Sequence, residues 1–294
     1  MKIAANDVLL EVEDHGPTDG TPLLLIMGLG MQLVAWHEEF VDSLVQRGFR
    51  VIRFDNRDIG LSQRFDHLGV PNLPVLGVRA ALGLAVHSGY SLADMAADTA
   101  GLLDALNIPA AHVCGASMGG MIAQHMAVRH PDRVKSLTLM MTTSGARKLP
   151  QPSMRVRAAL IKRPARPADV DSIIAHYVQL YRVIGSPGYP AGDEFLQRRL
   201  GLSVRRSYRP RGVARQLAAI IADGDRSALL AKITAPTAVL HGRDDPLVPV
   251  AAAHDLAAKI AGASLDIIDG WGHDLPMPLW PRFVQVIEGA ASRA

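Results

Sequence analysis

The chain is short of several things, and each shortage removes a class of answer. One cysteine, Cys114, among 294 residues leaves no internal disulfide to form. Aromatic residues make up only 5%, yet the composition is 49% hydrophobic and 20% charged, with no low-complexity tract or internal repeat. That balance excludes a disordered chain and a repeat solenoid. The longest apolar stretch, Pro22 to Trp36, is broken by two glycines and Gln32 and is too short to span a bilayer. The opening "MKIAANDVLLEVEDHG" has one lysine and no small-residue cleavage pattern, so no secretory signal is expected. There is no H-E-x-x-H and no cysteine–histidine ligand spacing, so no metal and no organic cofactor are expected. The expectation is a cytoplasmic protein with neither a membrane nor a nucleic-acid partner.

Charge is distributed unevenly. Residues 145–225 carry 15 Lys and Arg against 6 Asp and Glu, while the rest carries 16 against 22. Basic clusters such as "RRSYRPR" (205–211) could face an anionic partner, but no nucleic-acid module accompanies them. A solvated, arginine-rich helical face is the expectation for this segment.

Short apolar runs at 22–27, 50–55, 111–115, 134–141, 236–242 and 264–269 have the length and content of buried strands. Helical patterns at 35–47, 91–106, 118–130, 250–260 and 280–291 alternate with them. Strand followed by helix, repeated, predicts an α/β fold with a mostly parallel, doubly wound sheet. "VLLEVEDHG" ahead of the first unit suits an edge hairpin strand. The rhythm breaks between 145 and 230, where prolines punctuate helical patterns at 168–184 and 193–208. We expect a core of residues 1–144 and 231–294 with a helical cap inserted at 145–230, at the sheet edge where open α/β sheets bind ligands. A second irregular region, 66–90, contains "VLGVRAALGLAVHSGY", which suits a pocket wall or plain packing.

"AHVCGASMGGMIAQHMAVRH" places Ser117 where a strand meets a helix. In that context G-x-S-x-G carries chemical meaning: the serine occupies a sharp, strained turn, so Gly115 and Gly119 must be small. The turn also aims the first free helix N–H, that of Met118, at the space above the serine oxygen. A serine hydroxyl needs a base and an orienting acid. Of 11 histidines, His273 in "GWGHDLP" follows the last strand at the same edge as Ser117; His241, at a strand end, is its rival. The acid should lie between serine and histidine in chain order, and "HGRDDPLVP" offers both Asp244 and Asp245. A second oxyanion donor is expected from "MGLG" after the first core strand, with the Leu29 N–H best placed. The "GLG" there lacks the third glycine of a dinucleotide fingerprint.

These residues resemble the α/β-hydrolase superfamily. "GASMG" looks like its nucleophile elbow and "MGLG" stands where its His-Gly-x oxyanion loop would. "FDNRDIGLS" looks like its D-x-R-x-x-G-x-S loop, "HGRDDPLVP" like its G-x-x-D-x-x-x-P acid loop, and "GWGHDLP" like its G-H-x-x-P histidine loop. The resemblance implies a Ser117–His273–Asp245 triad, because the family acid is the third residue after the glycine, here Gly242. Met-Gly for His-Gly, and Asp58 where glycine is more common, make the chain similar to the aclacinomycin methylesterase group, which hydrolyses a methyl ester on a bulky polyketide. The implied activity is cleavage of a small-molecule carboxylic ester through an acyl-enzyme. Perhydrolases, enol-lactonases and carbon–carbon bond hydrolases share the same motifs, and a ligand-binding protein that has kept the fold without turnover is the alternative from another class.

Overall fold

The computed structural model describes all residues, 1–294. Eight strands form one sheet: β1 (Lys2–Ala5), β2 (Val8–His15), β3 (Thr21–Ile26), β4 (Phe49–Phe54), β5 (Ala111–Ala116), β6 (Val134–Met140), β7 (Thr237–Gly242) and β8 (Ser264–Ile268). Their order is β1-β2-β4-β3-β5-β6-β7-β8. β1 and β2 are antiparallel to their neighbours and all later pairings are parallel, so the expected doubly wound α/β sheet is present. Asn6 and Asp7, both at positive φ, turn the β1–β2 hairpin, as Asn and Asp tolerate. β2 is therefore not the edge strand expected; β1 is.

The central strands are buried on both faces, which is why they read as unbroken apolar runs. Alternate residues divide between two cores. Leu24, Ile26, Val113, Leu137 and Val239 face α3 (Leu92–Ala105), α4 (Met118–Arg129) and α10 (Ala251–Lys259). Leu23, Leu25, Cys114, Met140 and Leu240 face α1 (Glu38–Val45) and α11 (Trp280–Ala291). α3 opens with a capping box between Ser91 and Asp94, a strong local start signal. The helix expected from residue 35 begins only at Glu38. Leu33–Ala35 instead form a 3₁₀ turn, with Trp36 buried beneath it, and the acidic pair Glu38–Glu39 occupies the helix's first turn, where negative charge is favoured.

Between β6 and β7 the chain forms five helices: α5 (Met154–Ile161), α6 (Val170–Ile184), α7 (Asp193–Arg206), α8 (Pro210–Asp223) and α9 (Ser227–Leu230). The patterns at 168–184 and 193–208 correspond to α6 and α7, which clasp a small core of their own through Ile174, Val178, Leu196 and Leu200. The irregular region 66–90 contains α2 (Leu73–Ala81), a helix with no buried residue.

Candidate active site

Ser117 is the residue between β5 and α4, held at φ 54° and ψ −119°, outside the regions an L-residue prefers. Its N–H donates to Met140 O at 2.9 Å and its carbonyl accepts from the Thr142 hydroxyl at 2.7 Å, so the surroundings over-determine the strained turn. The glycines make this possible by close approach. A Cβ on Gly119 would lie 2.0 Å from Ile26 O, and one on Gly115 would lie 2.4 Å from Gly119 O.

β7 and β8 deliver the other two groups. His273, in the loop after β8, sets Nε2 3.0 Å from Ser117 Oγ and Nδ1 2.7 Å from Asp245 Oδ2. The second oxygen of Asp245 accepts from Leu247 N and Val248 N, both at 2.8 Å, which fixes the carboxylate from behind. The geometry therefore assigns the His273 Nδ1 proton to Asp245 and leaves Nε2 as acceptor for the Ser117 hydroxyl. Asp244 turns away and accepts from Gly270 N at 2.7 Å. His241 is fully buried, with Nε2 2.8 Å from Val248 O and 3.5 Å from Asp245 Oδ2. Burial, opposed only in part by the Asp245 charge, lowers its pKa and keeps it neutral. Cys114 is sealed in the sheet, and burial pushes its thiol pKa far up.

The loop after β3 lies against the serine: a Cβ on Gly28 would be 3.1 Å from Ser117 Cβ. Neither Leu29 N–H nor Met118 N–H donates to a protein acceptor, whereas Gly30 N, Met31 N, Ser117 N and Gly120 N do. Two side chains brace the loop from outside. Asn56 Nδ2 donates to Met27 O at 3.0 Å, and Gln216 Oε1 accepts from Gly30 N at 3.0 Å while its amide donates to Arg57 O. Gln216 is on α8, so the helices between β6 and β7 help shape this loop. A solvent-open cleft with an enclosed volume of about 40 Å³ lies alongside, between Gly30 and Met31 on one side and Tyr177, Val204 and Tyr208 on the other.

The arginine-rich segment is a solvated face in most of its length, as expected, but Arg206, Arg209 and Arg215 turn inward. Arg206 donates to Asp55 Oδ2 at 2.7 Å, Arg209 to Ser62 O at 2.6 Å, and Arg215 to both oxygens of Asp58 at 2.7 Å each. Burial pushes the Asp58 carboxyl up, but the Arg215 hydrogen bonds, aided by the Phe65 N–H and the Tyr90 hydroxyl, outweigh it and leave the pKa below its ordinary value. For the deeper Asp55, burial wins over Arg206 and the pKa is raised. The basic excess of 145–225 is thus partly answered by carboxylates of the acidic remainder.

A strap from the end of α6 holds the histidine loop. His273 N donates to Ile184 O at 2.7 Å, Gly188 N to Gly270 O at 2.8 Å and Gly272 N to Ser186 Oγ at 3.0 Å. The Ser186 hydroxyl in turn donates to Asp274. Burial raises the Asp274 pKa, and its Ser186 bond lowers it in part. The sequence offered no sign of Ser186, Asn56 or Gln216. Each is a common polar residue whose role exists only through tertiary contact, and only the glycines at 185, 188, 270 and 272 hinted that two backbones approach closely.

Comparison with known proteins identifies the family and the fold. Residues 21–278 match the family model described as alpha/beta hydrolase fold. The chain is 30% identical to the rhodomycin D methylesterase of Streptomyces peucetius, over 94% of this chain and 92% of that one. It is also 30% identical to a putative carbamate hydrolase of Variovorax paradoxus, over 90% and 89% of the two chains. Among solved structures, the meta-cleavage product hydrolase of Pseudomonas fluorescens IP01 superposes with a TM-score of 0.75 at 22% identity, covering 100% of this chain and 97% of that one. An esterase of Thermogutta terrifontis does so with a TM-score of 0.71 at 23% identity, covering 100% and 98%.

Proposed function

The chain belongs to the alpha/beta hydrolase fold family, and from that premise we propose that it is a serine esterase that cleaves a methyl or other small-alcohol ester of a larger carboxylic acid. The observation that carries this reading is the continuous relay from Asp245 through His273 to the Ser117 hydroxyl, at 2.7 and 3.0 Å. Similarity to a methylesterase over nearly the whole chain supports the choice of a small alcohol.

In the proposed reaction, Ser117 Oγ attacks the ester carbonyl as His273 Nε2 accepts its proton. Asp245 stabilises the imidazolium, and the free N–H groups of Leu29 and Met118 receive the oxyanion. His273 returns the proton to the departing alkoxide, leaving an acyl-enzyme. A water molecule, deprotonated by His273, then attacks the acyl group, and Ser117 leaves with its proton restored. One ester and one water become one acid and one alcohol, with no cofactor needed. Residues 145–230 act as the cap over this centre, and the solvent-open cleft beside Gly30 seats the bulkier part of the substrate. The lone buried thiol fits a reducing cytoplasm, where we place the protein.

The test is hydrolysis of a panel of methyl esters, short p-nitrophenyl esters and lactones, with peracid formation measured in parallel. Methyl esters should be the best substrates, and Ser117→Ala should lower turnover by about 10⁴-fold or more at unchanged thermal stability. Labelling of Ser117 by a fluorophosphonate without any turnover would instead identify a binding protein. Near wild-type activity in Ser117→Ala would remove the mechanism altogether.

A further inference from the structure

The stretch "VLGVRAALGLAV" joins none of the hydrophobic cores, although the helix it forms rests against α8. α2 lies on the surface with Val78 61% exposed, and Leu82 just past its end is 69% exposed. α5 presents a matching pair, Met154 at 77% and Ile161 at 81%. The segments flanking them approach each other: a methyl group placed on Gly83, just past α2, would lie 3.6 Å from Arg147 Nη1, in the segment leading into α5. Solitary exposed aliphatics are ordinary, but an apolar helix with no buried residue beside a second such cluster is not.

Charge distinguishes this face from the rest of the surface. Residues 145–166 contain seven Lys and Arg and no Asp or Glu, and residues 67–90 contain one Arg and no acid. Of those seven cations only Arg166 has a carboxylate partner, Asp169, whereas Arg206 and Arg215 further along are spent on core aspartates. Neither stretch of this face, 67–89 or 145–166, contains Phe, Tyr or Trp.

We propose that the α2–α5 face docks onto an anionic lipid surface, with the aliphatic side chains of Leu82, Met154 and Ile161 entering the headgroup boundary and the basic residues meeting lipid phosphates. A short basic helix with protruding aliphatics has this chemistry. A second copy of the chain fits less well, since a two-fold contact through this face would oppose two sets of unpaired cations. A specific protein partner would be expected to find aromatic anchors, and there are none. The expectation of no membrane contact rested on the lack of a spanning segment; no helix is long and apolar enough to cross a membrane, and surface docking requires none. The proposal is independent of the triad chemistry.

Co-sedimentation of the full chain with vesicles tests it. Binding is expected to vesicles of phosphatidylcholine mixed with phosphatidylglycerol, weakly or not at all to phosphatidylcholine alone, and to diminish as salt is raised. Neutralising Arg155 and Lys162 to Gln should lower partitioning about five-fold per charge. Leu82→Ser with Ile161→Ser should lower it about ten-fold or more. These side chains are exposed, and thermal melting checks that each variant folds. Equal binding to both vesicle types, or variants that bind like the wild type, would overturn the proposal. So would a wild-type chain that ignores phosphatidylglycerol while binding soluble polyglutamate, or a dimer that the Leu82/Ile161 variant dissociates.

Discussion

Arg215→Met, a change of similar length that removes the guanidinium, should be among the most destabilising single substitutions in the chain. Asp58 is fully buried and receives four hydrogen bonds: two from Arg215 at 2.7 Å, one from Tyr90 at 2.9 Å and one from Phe65 N at 2.9 Å. Arg215→Met removes two of these and leaves a buried carboxylate without its principal counter-charge, a loss of about 3–5 kcal/mol. The sign with pH follows from the same contacts. In the wild type the folded-state pKa of Asp58 is lowered, so its contribution is present above the unfolded carboxyl value and is lost as pH falls through the folded one. In Arg215→Met burial remains and the main opposing cause is gone, so the pKa rises and the penalty should shrink as acidification neutralises Asp58. Adding Asp58→Gly suits the backbone, which sits at φ 72° there, and should recover about 2 kcal/mol of the loss by deleting the stranded charge. Urea unfolding at neutral pH and near pH 5 measures all three states. A penalty under about 1 kcal/mol, or a double variant no more stable than Arg215→Met, would refute the assignment of this pair as a buried, mutually dependent lock.

Three further outcomes are expected. Asp245→Asn should cut ester turnover by about 10⁴-fold, because the amide favours the wrong His273 tautomer, while Asp244→Asn, which can still accept from Gly270 N, should keep most activity; steady-state kinetics on the two variants settles the acid. Gly119→Ala should yield little folded protein, since its methyl would sit 2.0 Å from Ile26 O, and soluble yield with circular dichroism would reveal it. Cys114 should ignore a thiol reagent in the native state and react once in denaturant; rapid native labelling would mean that β5 opens far more readily than its burial implies.

The parts of the molecule that were legible are those governed by local rules. Runs such as "PLLLIM" and "PTAVLHG" have no polar face, because their strands are covered on both sides, and period and length were enough to place them. α8 was missed for a related reason. Its buried face is made of Gly212, Arg215, Gln216, Ala218 and Ala219 rather than large aliphatics, so no apolar stripe announced it. α2 was missed because apolar residues occupy its exposed side, Val75 and Val78, as well as its half-buried side, Leu73, Leu76 and Ala80, so no stripe marks a period. At the site, Ser117 and His273 were found from glycine-flanked turns. Asp245 was separated from Asp244 only by spacing within a resembling motif, a choice to which the observed 2.7 Å contact now gives a physical reason.

The charge distribution carried more information than was taken from it. Two segments of opposite balance in one chain, 15 basic against 6 acidic within 16 against 22, need no external ligand to explain them if they fold against each other. Arg206 on Asp55 and Arg215 on Asp58 realise that pairing across more than a hundred residues of sequence, at the loop that also supports Met27 and Gly30. An ion pair of this kind ties helix placement to the shape of the oxyanion loop, since α7 and α8 cannot shift without uncovering a buried carboxylate. The cations of 147–163 lie outside that arrangement, with no core acid to meet them. Subtracting the internally satisfied arginines from the basic excess is what isolates that face, and a whole-chain net charge of +3 conceals both facts.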